Sequence, residues 1–373
     1  MTESSNRNLA LDSLRGIAAF GILIWHYQHF FQVDGPFAQP YEADLPFLYK
    51  YGWIMVDLFF CLSGYIFFSY YQKTIAENKI SLRDFIILRL SRLYPLIVIT
   101  LIFTAILNYL LFFLKGKFYI YGSNDFFSFF ANLLFLQSGF FKTGFSFNAP
   151  SWSLGVEFWI YLMFFGVAFH LKKHLAIITG LISLFFLVAF NNALTFGLVF
   201  FSPEFERGLG SFFLGGVTHY LIKAIQESKK MNGNIIGFIA LSIAALGYTL
   251  AHKKFSAVHE PIADVMFAND FLTIALLLNP LMIIAITLSP ILNKIFSFRP
   301  LRFLGDISYS SYLWHIPIQL GIFLLILVGG WNLNPASKDF FFIYFLFIIL
   351  ISFLSTKYFE KPLQNKIRSL FLK

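Results

Sequence analysis

Two ionisable side chains, Arg15 and His26, lie eleven positions apart inside the first long apolar stretch of the chain. A charged group in the hydrocarbon core of a membrane costs about 2.5 to 3.5 kcal/mol, so such a group is usually kept where it faces a protein interior or a wet cavity. In a helix, eleven residues at roughly 100° each return to nearly the same face, about 16 Å further along the axis. Asp12 lies on almost the same face. The spacing predicts a polar track that crosses half a bilayer and carries a group able to exchange protons.

Two carboxylates stand at depths comparable to that of His26. Asp57 lies about one turn inside the second apolar stretch, where it could hold the imidazole. The alternative is that Asp57 is favoured at the positive end of a helix that starts there. Glu157 follows Ser153 by four residues and therefore shares its helix face. We interpret Glu157 as functional because a carboxylate more than a turn inside a membrane is costly; a structural pairing with an arginine is the alternative.

Arg89 and Arg92 are three positions apart at the inner end of the third apolar stretch, and so they share a helix face. Paired guanidinium groups can bind phosphate with two hydrogen bonds each. The alternative is that both are anchors that obey the preference for positive charge on the inner side of a membrane. Pro95, which follows them, predicts the first turn of the third membrane span.

Hydroxyl groups and a histidine concentrate in residues 304–317. Ser308, Ser311, Tyr312 and His315 fall on one side of a helix there, and Pro317 is expected to kink the helix just beyond them. A stripe of hydroxyl groups can simply hold helices together. The added histidine favours a functional site.

The composition places these residues in a membrane protein. Of the 373 residues, 58% are hydrophobic and 13% are charged, and the mean hydropathy is +0.71. No long polar segment is left for a separate soluble domain, so we expect a single membrane domain over residues 1–373. A cleaved secretory signal is the alternative for residues 1–31, but charged residues interrupt that stretch and no small-residue cleavage pattern follows it. The single cysteine, Cys61, excludes an intramolecular disulfide and a cysteine metal site.

Ten apolar segments are long enough to span a bilayer as helices. They lie near residues 10–30, 52–71, 94–114, 151–170, 175–192, 206–224, 234–251, 271–291, 304–328 and 339–357. An even number puts both termini on one side, and most of the Lys and Arg would then share that side, so the positive-inside rule predicts cytoplasmic termini. The expected fold class is an all-α integral membrane protein with about ten transmembrane helices. The net charge of +9 is spread over many short loops, which favours membrane topology over nucleic-acid binding as its cause.

Two long outer loops, residues 31–51 and 115–150, are rich in Gly, Pro and aromatic residues. They are either ordinary connections or the mouth of a binding site. His29 and Asp34 match the His-x4-Asp spacing of glycerolipid acyltransferases that work at the soluble face. Here the pair lies on the outer side, where acyl-CoA is absent, and a two-residue motif often matches by chance. We assign the pair no role.

The chain resembles the acyltransferase 3 family of integral membrane acyltransferases over nearly its whole length. The resemblance rests on five sequence motifs, in this order and at these depths in the membrane. They are Arg15-x10-His26, the Val-Asp-Leu-Phe-Phe-x-Leu-Ser-Gly run at 56–64, Arg89-x2-Arg92-x2-Pro95, Trp152-Ser153-Leu154-x2-Glu157, and the run from Leu304 to Pro317. The resemblance implies transfer of an acyl group, usually acetyl, from cytoplasmic acyl-CoA to a hydroxyl of a cell-envelope glycan or lipid-linked sugar in the bacterial inner membrane. Some members carry a fused extracytoplasmic hydrolase-like domain. This chain ends about sixteen residues after its last predicted span, so we expect direct transfer or a separate partner protein.

The residue types supply a mechanism for that transfer. His26 is expected to accept the proton of the acceptor hydroxyl as it attacks the thioester, with His315 as the reserve base or an acceptor-binding group. Glu157, and less directly Asp57, would orient the imidazole. We assign the donor CoA to Arg15, Arg89, Arg92 and Asp12, with Arg15 as an alternative oxyanion donor, and the acceptor to Trp152, Ser153, Ser308 and Tyr312. No cluster has metal-ligand spacing, so no metal is expected.

Two other classes of function fit the same polar track. A transporter could use His26, Asp57 and Glu157 as a relay, although we see no paired broken halves of the kind that transporters carry. A sensor or assembly subunit would use the polar residues only to hold helices together. Hydrolysis of acetyl-CoA by the purified protein separates an enzyme from both alternatives.

Overall fold

The computed structural model describes residues 8–31, 39–137, 144–196, 201–228, 231–256 and 270–372. Helices and turns make up these residues, and no strand occurs among them. The all-α fold class is therefore confirmed for the described part of the chain.

Fifteen α-helices follow one another along the described residues. They are α1 (Leu9–His26), α2 (Pro46–Tyr51), α3 (Met55–Tyr70), α4 (Gln72–Ala76), α5 (Leu82–Lys115), α6 (Phe126–Leu133), α7 (Trp152–His170), α8 (Leu175–Phe196), α9 (Pro203–Ser228), α10 (Gly233–Ser256), α11 (Asp270–Leu288), α12 (Pro290–Phe296), α13 (Arg299–Leu327), α14 (Lys338–Ser355) and α15 (Lys361–Phe371). A 3-10 segment, Tyr27–Phe31, prolongs α1, and a π-helical segment, Thr356–Glu360, joins α14 to α15.

Eight helical segments among the described residues are long and apolar enough to cross a membrane. A ninth becomes available if the two helices Leu278–Leu288 and Pro290–Phe296, which meet at an angle of 100°, form one broken span. Helix α9 occupies the sixth predicted span, but it carries Glu204, Glu206 and Arg207 near its start and is not among the eight. The chain is thus a multi-pass membrane protein. The count of about ten spans and the cytoplasmic position of the termini stay predictions.

The sequence misplaced the start of the third span. Helix α5 begins at Leu82, where the Ser81 side chain accepts a hydrogen bond from the amide of Asp84, and it continues through Pro95 to Lys115. Proline is tolerated inside membrane helices because neighbouring helices can satisfy the backbone groups that it frees. The two predicted outer loops also differ from expectation, since they contain the short helices α2 and α6. Asp34 of the rejected His-x4-Asp pair lies outside the described residues.

Backbone contacts divide the chain into two compact units. Unit 1 comprises Met1–Ala18, Ile54–Lys79 and Ile160–Asp306, and unit 2 comprises Ala19–Trp53, Ile80–Trp159 and Ile307–Lys373. Helices α1, α7 and α13 contribute residues to both.

Unit 1 is built around α9, which packs against α3, α8 and α11. Glycines allow the closest of these approaches. A Cβ atom on Gly64 would overlap the carbonyl of Phe212, and one on Gly215 would overlap the carbonyl of Cys61. Helices α3 and α9 therefore touch backbone to backbone, which lets the charged start of α9 be buried among its neighbours.

Unit 2 has a core of aromatic rings. Tyr27 is fully buried and donates a hydrogen bond from its hydroxyl to the carbonyl of Pro335, and its ring packs against those of Phe30, Phe341 and Tyr344. This cluster fixes the 3-10 segment that follows α1. On another side, α15 packs along the first turns of α5, where Arg368 donates from Nε to the hydroxyl of Ser91.

The close crossing of α3 and α9 makes a stability prediction. Gly64→Ala should lower the midpoint of unfolding in mixed detergent micelles, because the added methyl group meets a backbone carbonyl that cannot move aside; overpacking of this kind typically costs about 1 to 3 kcal/mol. Gly166→Ala is the matched control, since nothing lies within 4 Å of a Cβ there. Equal midpoints for the two variants would contradict the close crossing.

Candidate active site

One face of α13 carries the polar residues around which the candidate site of unit 2 is built. Ser308, Ser311, Tyr312 and His315 share this face, as the sequence predicts, and Gln319 extends it by one more turn. All five are buried. We call these five residues the α13 polar face.

Near its amino-terminal end, α13 contacts the region of the predicted arginine pair. The Tyr309 hydroxyl donates to the carbonyl of Leu93, which directly follows Arg92 in α5. The Ser310 hydroxyl donates to Oε2 of Glu360, 2.8 Å away, and Glu360 interacts electrostatically with Arg92. Arg89 is buried, and its guanidinium lies 5.7 Å from the centre of the Phe85 ring. Arg89 thus lies in a buried region and Arg92 is half-buried. Their part in binding the donor stays a prediction.

The middle of the α13 polar face contacts the start of α7. The hydroxyl of Tyr312 donates to the carbonyl of Pro150, 2.6 Å away, and lies 2.9 Å from the hydroxyl of Ser153. Two predicted acceptor residues are therefore brought into direct contact. Asn148, just before this turn, donates from Nδ2 to the carbonyl of Leu313.

Two histidines and a glutamine form the end of the site that is furthest from the α5 arginines along α13. Nδ1 of His26 lies 3.4 Å from Nε2 of His29, and Nδ1 of His29 lies 3.1 Å from Oε1 of Gln319. The amide nitrogen of Gln319 donates to the backbone carbonyl of His26, 3.0 Å away. His26 and His315, the two predicted bases, meet with their ring centres 4.9 Å apart.

The remaining predicted residues of unit 2, Trp152, Glu157 and Ser308, lie on α7 and α13. Trp152 is the first residue of α7, and Glu157 lies four residues after Ser153 on the same helix. Both are partly buried. The Ser308 carbonyl accepts a hydrogen bond from the hydroxyl of Ser311. The orienting role of Glu157 stays a prediction, and His29 is the residue that the structure places on Nδ1 of His26.

In unit 1, Arg15 and Asp12 form an ion pair one turn apart on α1. Nη1 of Arg15 lies 2.9 Å from Oδ1 of Asp12, and the arginine side chain keeps 18% of its surface exposed. The predicted shared face of these two residues is confirmed. Their part in binding the donor stays a prediction.

Asp57 is paired with an arginine that the sequence analysis missed. Arg207 of α9 donates from Nε to Oδ1 of Asp57 at 2.6 Å and from Nη2 to Oδ2. Ser211 adds a third, longer contact to Oδ1 at 3.4 Å. The carboxylate is fully buried and the guanidinium side chain is 10% exposed. This bidentate ion pair joins α3 to α9, so the structure gives Asp57 a role in holding these helices together. The predicted contact of Asp57 with His26 stays a prediction.

Three residues of these clusters escaped the sequence analysis: Arg207, His29 and Gln319. Arg207 could have been found as an ionisable residue in an apolar region, by the reasoning that identified Asp57. Gln319 follows His315 by four residues and so lies on a helix face that was already suspected. His29 was considered only in the rejected pair with Asp34, and nothing but its spacing of three from His26 pointed to a contact between the two histidines.

A family model described as an acyltransferase domain matches residues 8–357, nearly the whole chain. The chain belongs to the acyltransferase 3 family. The match contains every residue of the histidine cluster, both arginines of α5 and the Asp57–Arg207 pair.

Bacterial relatives agree with this membership. The chain is 26% identical to the O-acetyltransferase OatA of Staphylococcus aureus over 392 aligned positions, which cover 95% of this chain and 57% of the relative. It is also 26% identical to the peptidoglycan O-acetyltransferase OatA of Listeria monocytogenes, over 83% of this chain and 49% of the relative. The chain thus spans about half the length of the curated relatives that it matches. No solved structure matches it.

The buried pair of α3 and α9 makes a second stability prediction. Arg207→Leu should destabilise unit 1 by about 3 to 5 kcal/mol, because it leaves the Asp57 carboxylate buried without its counter-charge. The double variant Asp57→Leu with Arg207→Leu should recover much of that loss. Unfolding by sodium dodecyl sulfate in mixed micelles measures both.

The control is Glu227→Gln. It breaks the exposed pair of Lys223 and Glu227, whose side chains are 59% and 69% accessible, and should change little. A double variant no more stable than Arg207→Leu would show that Asp57 and Arg207 are not coupled.

Proposed function

We propose that the chain is a membrane O-acetyltransferase that moves an acetyl group from cytoplasmic acetyl-CoA to a hydroxyl of a cell-envelope glycan. The observation that carries this proposal is that one helix, α13, makes contacts at both ends of the candidate site. It contacts the region of the two α5 arginines through Tyr309 and Ser310. It contacts the buried histidine cluster through His315 and Gln319. Membership of the acyltransferase 3 family supports acyl transfer. The names of both relatives support acetyl as the group, and the name of the Listeria protein supports peptidoglycan as the class of acceptor.

In the proposed chemical step one base, His26, takes and returns the proton, and Glu157 is assigned to orient its imidazole. The acceptor oxygen attacks the thioester carbonyl carbon while a ring nitrogen of His26 takes the hydroxyl proton. The tetrahedral intermediate then breaks its carbon–sulfur bond, and the imidazolium returns the proton to the departing sulfur. The products are an acetyl ester and the free thiol of CoA. A positioned general base of this kind typically contributes about 10² to 10⁴ in rate.

The donor is assigned to the α5 end of the site. Arg89 and Arg92 would bind the phosphates of CoA, because planar guanidinium groups match phosphate oxygens in pairs. From Ser310, near this end, to His315 is five helical residues, or about 7.5 Å along α13. A donor held here would extend its thioester arm along the α13 polar face toward His26.

The acceptor is assigned to the start of α7 and the facing turn of α13. Ser153 and Tyr312 already share hydrogen bonds with each other and with the carbonyl of Pro150. Such hydroxyl groups can exchange these partners for the hydroxyls of a sugar. Trp152 and Ser308 complete this assignment. A separate extracytoplasmic transferase remains a proposed partner, and the bacterial inner membrane the proposed location.

The direct test is acetyl transfer by the purified, full-length protein. With radiolabelled acetyl-CoA in lipid nanodiscs, the wild type should release CoA and label an added glycan fragment, and His26→Ala should lose at least about 10²-fold in kcat because the base is gone. In cells, a deletion strain carrying His26→Ala should lack an acetyl mass on the envelope glycan that the wild-type gene restores. A His26→Ala protein with near wild-type turnover would show that His26 is not the base.

A second test separates donor binding from topology. Arg89→Ala combined with Arg92→Ala should raise KM for acetyl-CoA by at least about tenfold, since a hydrogen bond to a charged group contributes about 1.5 to 3 kcal/mol and about 1.4 kcal/mol is tenfold in affinity. Lys73→Ala removes a positive charge from a side chain that is 82% exposed and should leave KM unchanged. An unchanged KM in the double variant would make the two arginines plain topology anchors.

A further inference from the structure

His29 and Gln319 are joined to His26 in a closed set of hydrogen bonds whose donors and acceptors can be worked out one by one. From it we infer that His29 and Gln319 are positioning residues, which hold His26 with its proton on Nδ1 and its lone pair on Nε2. The inference rests on the proposed function of His26 as a base. It adds which nitrogen is the base and what selects it.

The first step is the orientation of Gln319. One end of its amide lies 3.0 Å from the backbone carbonyl of His26. A carbonyl oxygen only accepts hydrogen bonds, so the end of the amide that faces it must be the NH₂ group. The backbone of the base itself therefore fixes which way this side chain points.

The oxygen end of the same amide fixes which nitrogen of His29 is protonated. Oε1 of Gln319 lies 3.1 Å from Nδ1 of His29. An amide oxygen cannot donate, so Nδ1 of His29 must carry a proton. A neutral imidazole has a single N–H, which leaves Nε2 of His29 as an acceptor.

The third step reaches His26. Nε2 of His29 faces Nδ1 of His26 at 3.4 Å, so Nδ1 of His26 must donate. The neutral His26 ring then has its lone pair on Nε2, the nitrogen that points away from His29. In the other tautomer, two lone pairs would face each other between the two rings, and a buried polar contact would be lost.

Burial makes this selection effective. Gln319 is fully buried, and His29 and His26 keep only 4% and 6% of their surfaces exposed. Water therefore has little access to replace any of the three bonds, and hydrogen bonds in such surroundings are stronger than in water. The rings of Trp25 and Tyr121 pack edge-on against the two histidines and hold their planes.

The same set of bonds limits how far the proton can travel during the reaction. When Nε2 accepts the hydroxyl proton, Nδ1–H of the imidazolium still donates to His29, now as a stronger, charge-assisted bond. The next group beyond His29 is the amide of Gln319, which is a poor proton acceptor. The positive charge therefore stays within the two imidazoles, and Nε2 of His26 returns its proton to the departing sulfur of CoA.

The inference is tested by nitrogen NMR of the full-length protein, labelled with ¹⁵N-histidine, in nanodiscs. The chain has eight histidines, and the His26 signals are identified as those lost in His26→Gln. In the wild type, Nδ1 should show the chemical shift of a protonated nitrogen and Nε2 that of an unprotonated one. Gln319→Leu should convert a large fraction of His26 to the opposite tautomer. Gln28→Leu, next to His29 in the 3-10 segment, is the matched control and should change neither signal.

Kinetic constants distinguish a positioning role from a purely structural one, because loss of positioning lowers kcat without changing KM. Gln319→Leu should lower kcat by about 10²-fold with KM for acetyl-CoA unchanged, since the base is misoriented while the donor site is intact. Gln319→Glu should restore at least about tenfold of that loss. A protonated carboxyl can donate to the His26 carbonyl and accept from His29, as the amide does.

The outcomes separate this inference from the proposed function. An unchanged His26 tautomer in Gln319→Leu, or a wild-type His26 protonated on Nε2, overturns the role of His29 and Gln319 even if His26→Ala is inactive. A shifted tautomer in Gln319→Leu together with full activity of His26→Ala upholds the hydrogen-bonded set and overturns His26 as the base.

Discussion

The constraint on which unit 2 depends is that polar groups inside a membrane have no water to bind, so each must find its partner in the protein. Four residues of α13 meet this constraint by taking partners from other parts of the chain. Tyr309 binds α5, Ser310 binds the π segment, Tyr312 binds the turn before α7, and Gln319 binds the end of α1. The hydrogen bonds of these polar side chains thereby position four separate elements around α13. Two of these residues, Tyr312 and Gln319, are also assigned to acceptor binding and to the orientation of the base.

Unit 1 meets the same constraint with charge instead of hydroxyl groups. The Asp57–Arg207 pair is almost completely enclosed, whereas the Asp12–Arg15 pair keeps part of its arginine exposed. Both partners of such a buried pair must stay in place, because either charge left alone would raise the free energy of the folded protein. The glycine contacts between α3 and α9 bring the two backbones close enough for the short aspartate to reach the guanidinium. In this unit the ion pair therefore depends on the close packing of the two helices.

Much of the candidate site followed from the sequence, since its residues are spaced along single helices. The face of α13, the location of His26 in the first span and the shared face of Asp12 and Arg15 all depend only on the helical repeat. The end of α1 at His26 and the ion pair of Asp12 with Arg15 were not predicted. Local signals could have marked Arg207 and Gln319 as candidates, but their roles depend on partners 150 and 293 residues away, which no local spacing reveals. Pro95 misled for a related reason: it reads as a helix start in water, while a membrane helix can run through it with help from its neighbours. The acceptor has no local signature at all, because sugar hydroxyls are bound by ordinary polar side chains.

The π-helical segment Thr356–Glu360 has a consequence for how this chain tolerates change. A π turn holds about one residue more than an α turn, and such turns often mark places where function constrains a helix. Here the additional residue lets Thr356 and Glu360 both reach Ser310 while the helix continues into α15. Deleting one residue from the segment would restore a regular α-helix, but it would turn everything after it by about 100° about its axis. Arg368 would then leave Ser91, and the last helix would present a different side to α5. The chain can therefore accept many substitutions in α15 far more readily than it can accept a change of length just before it.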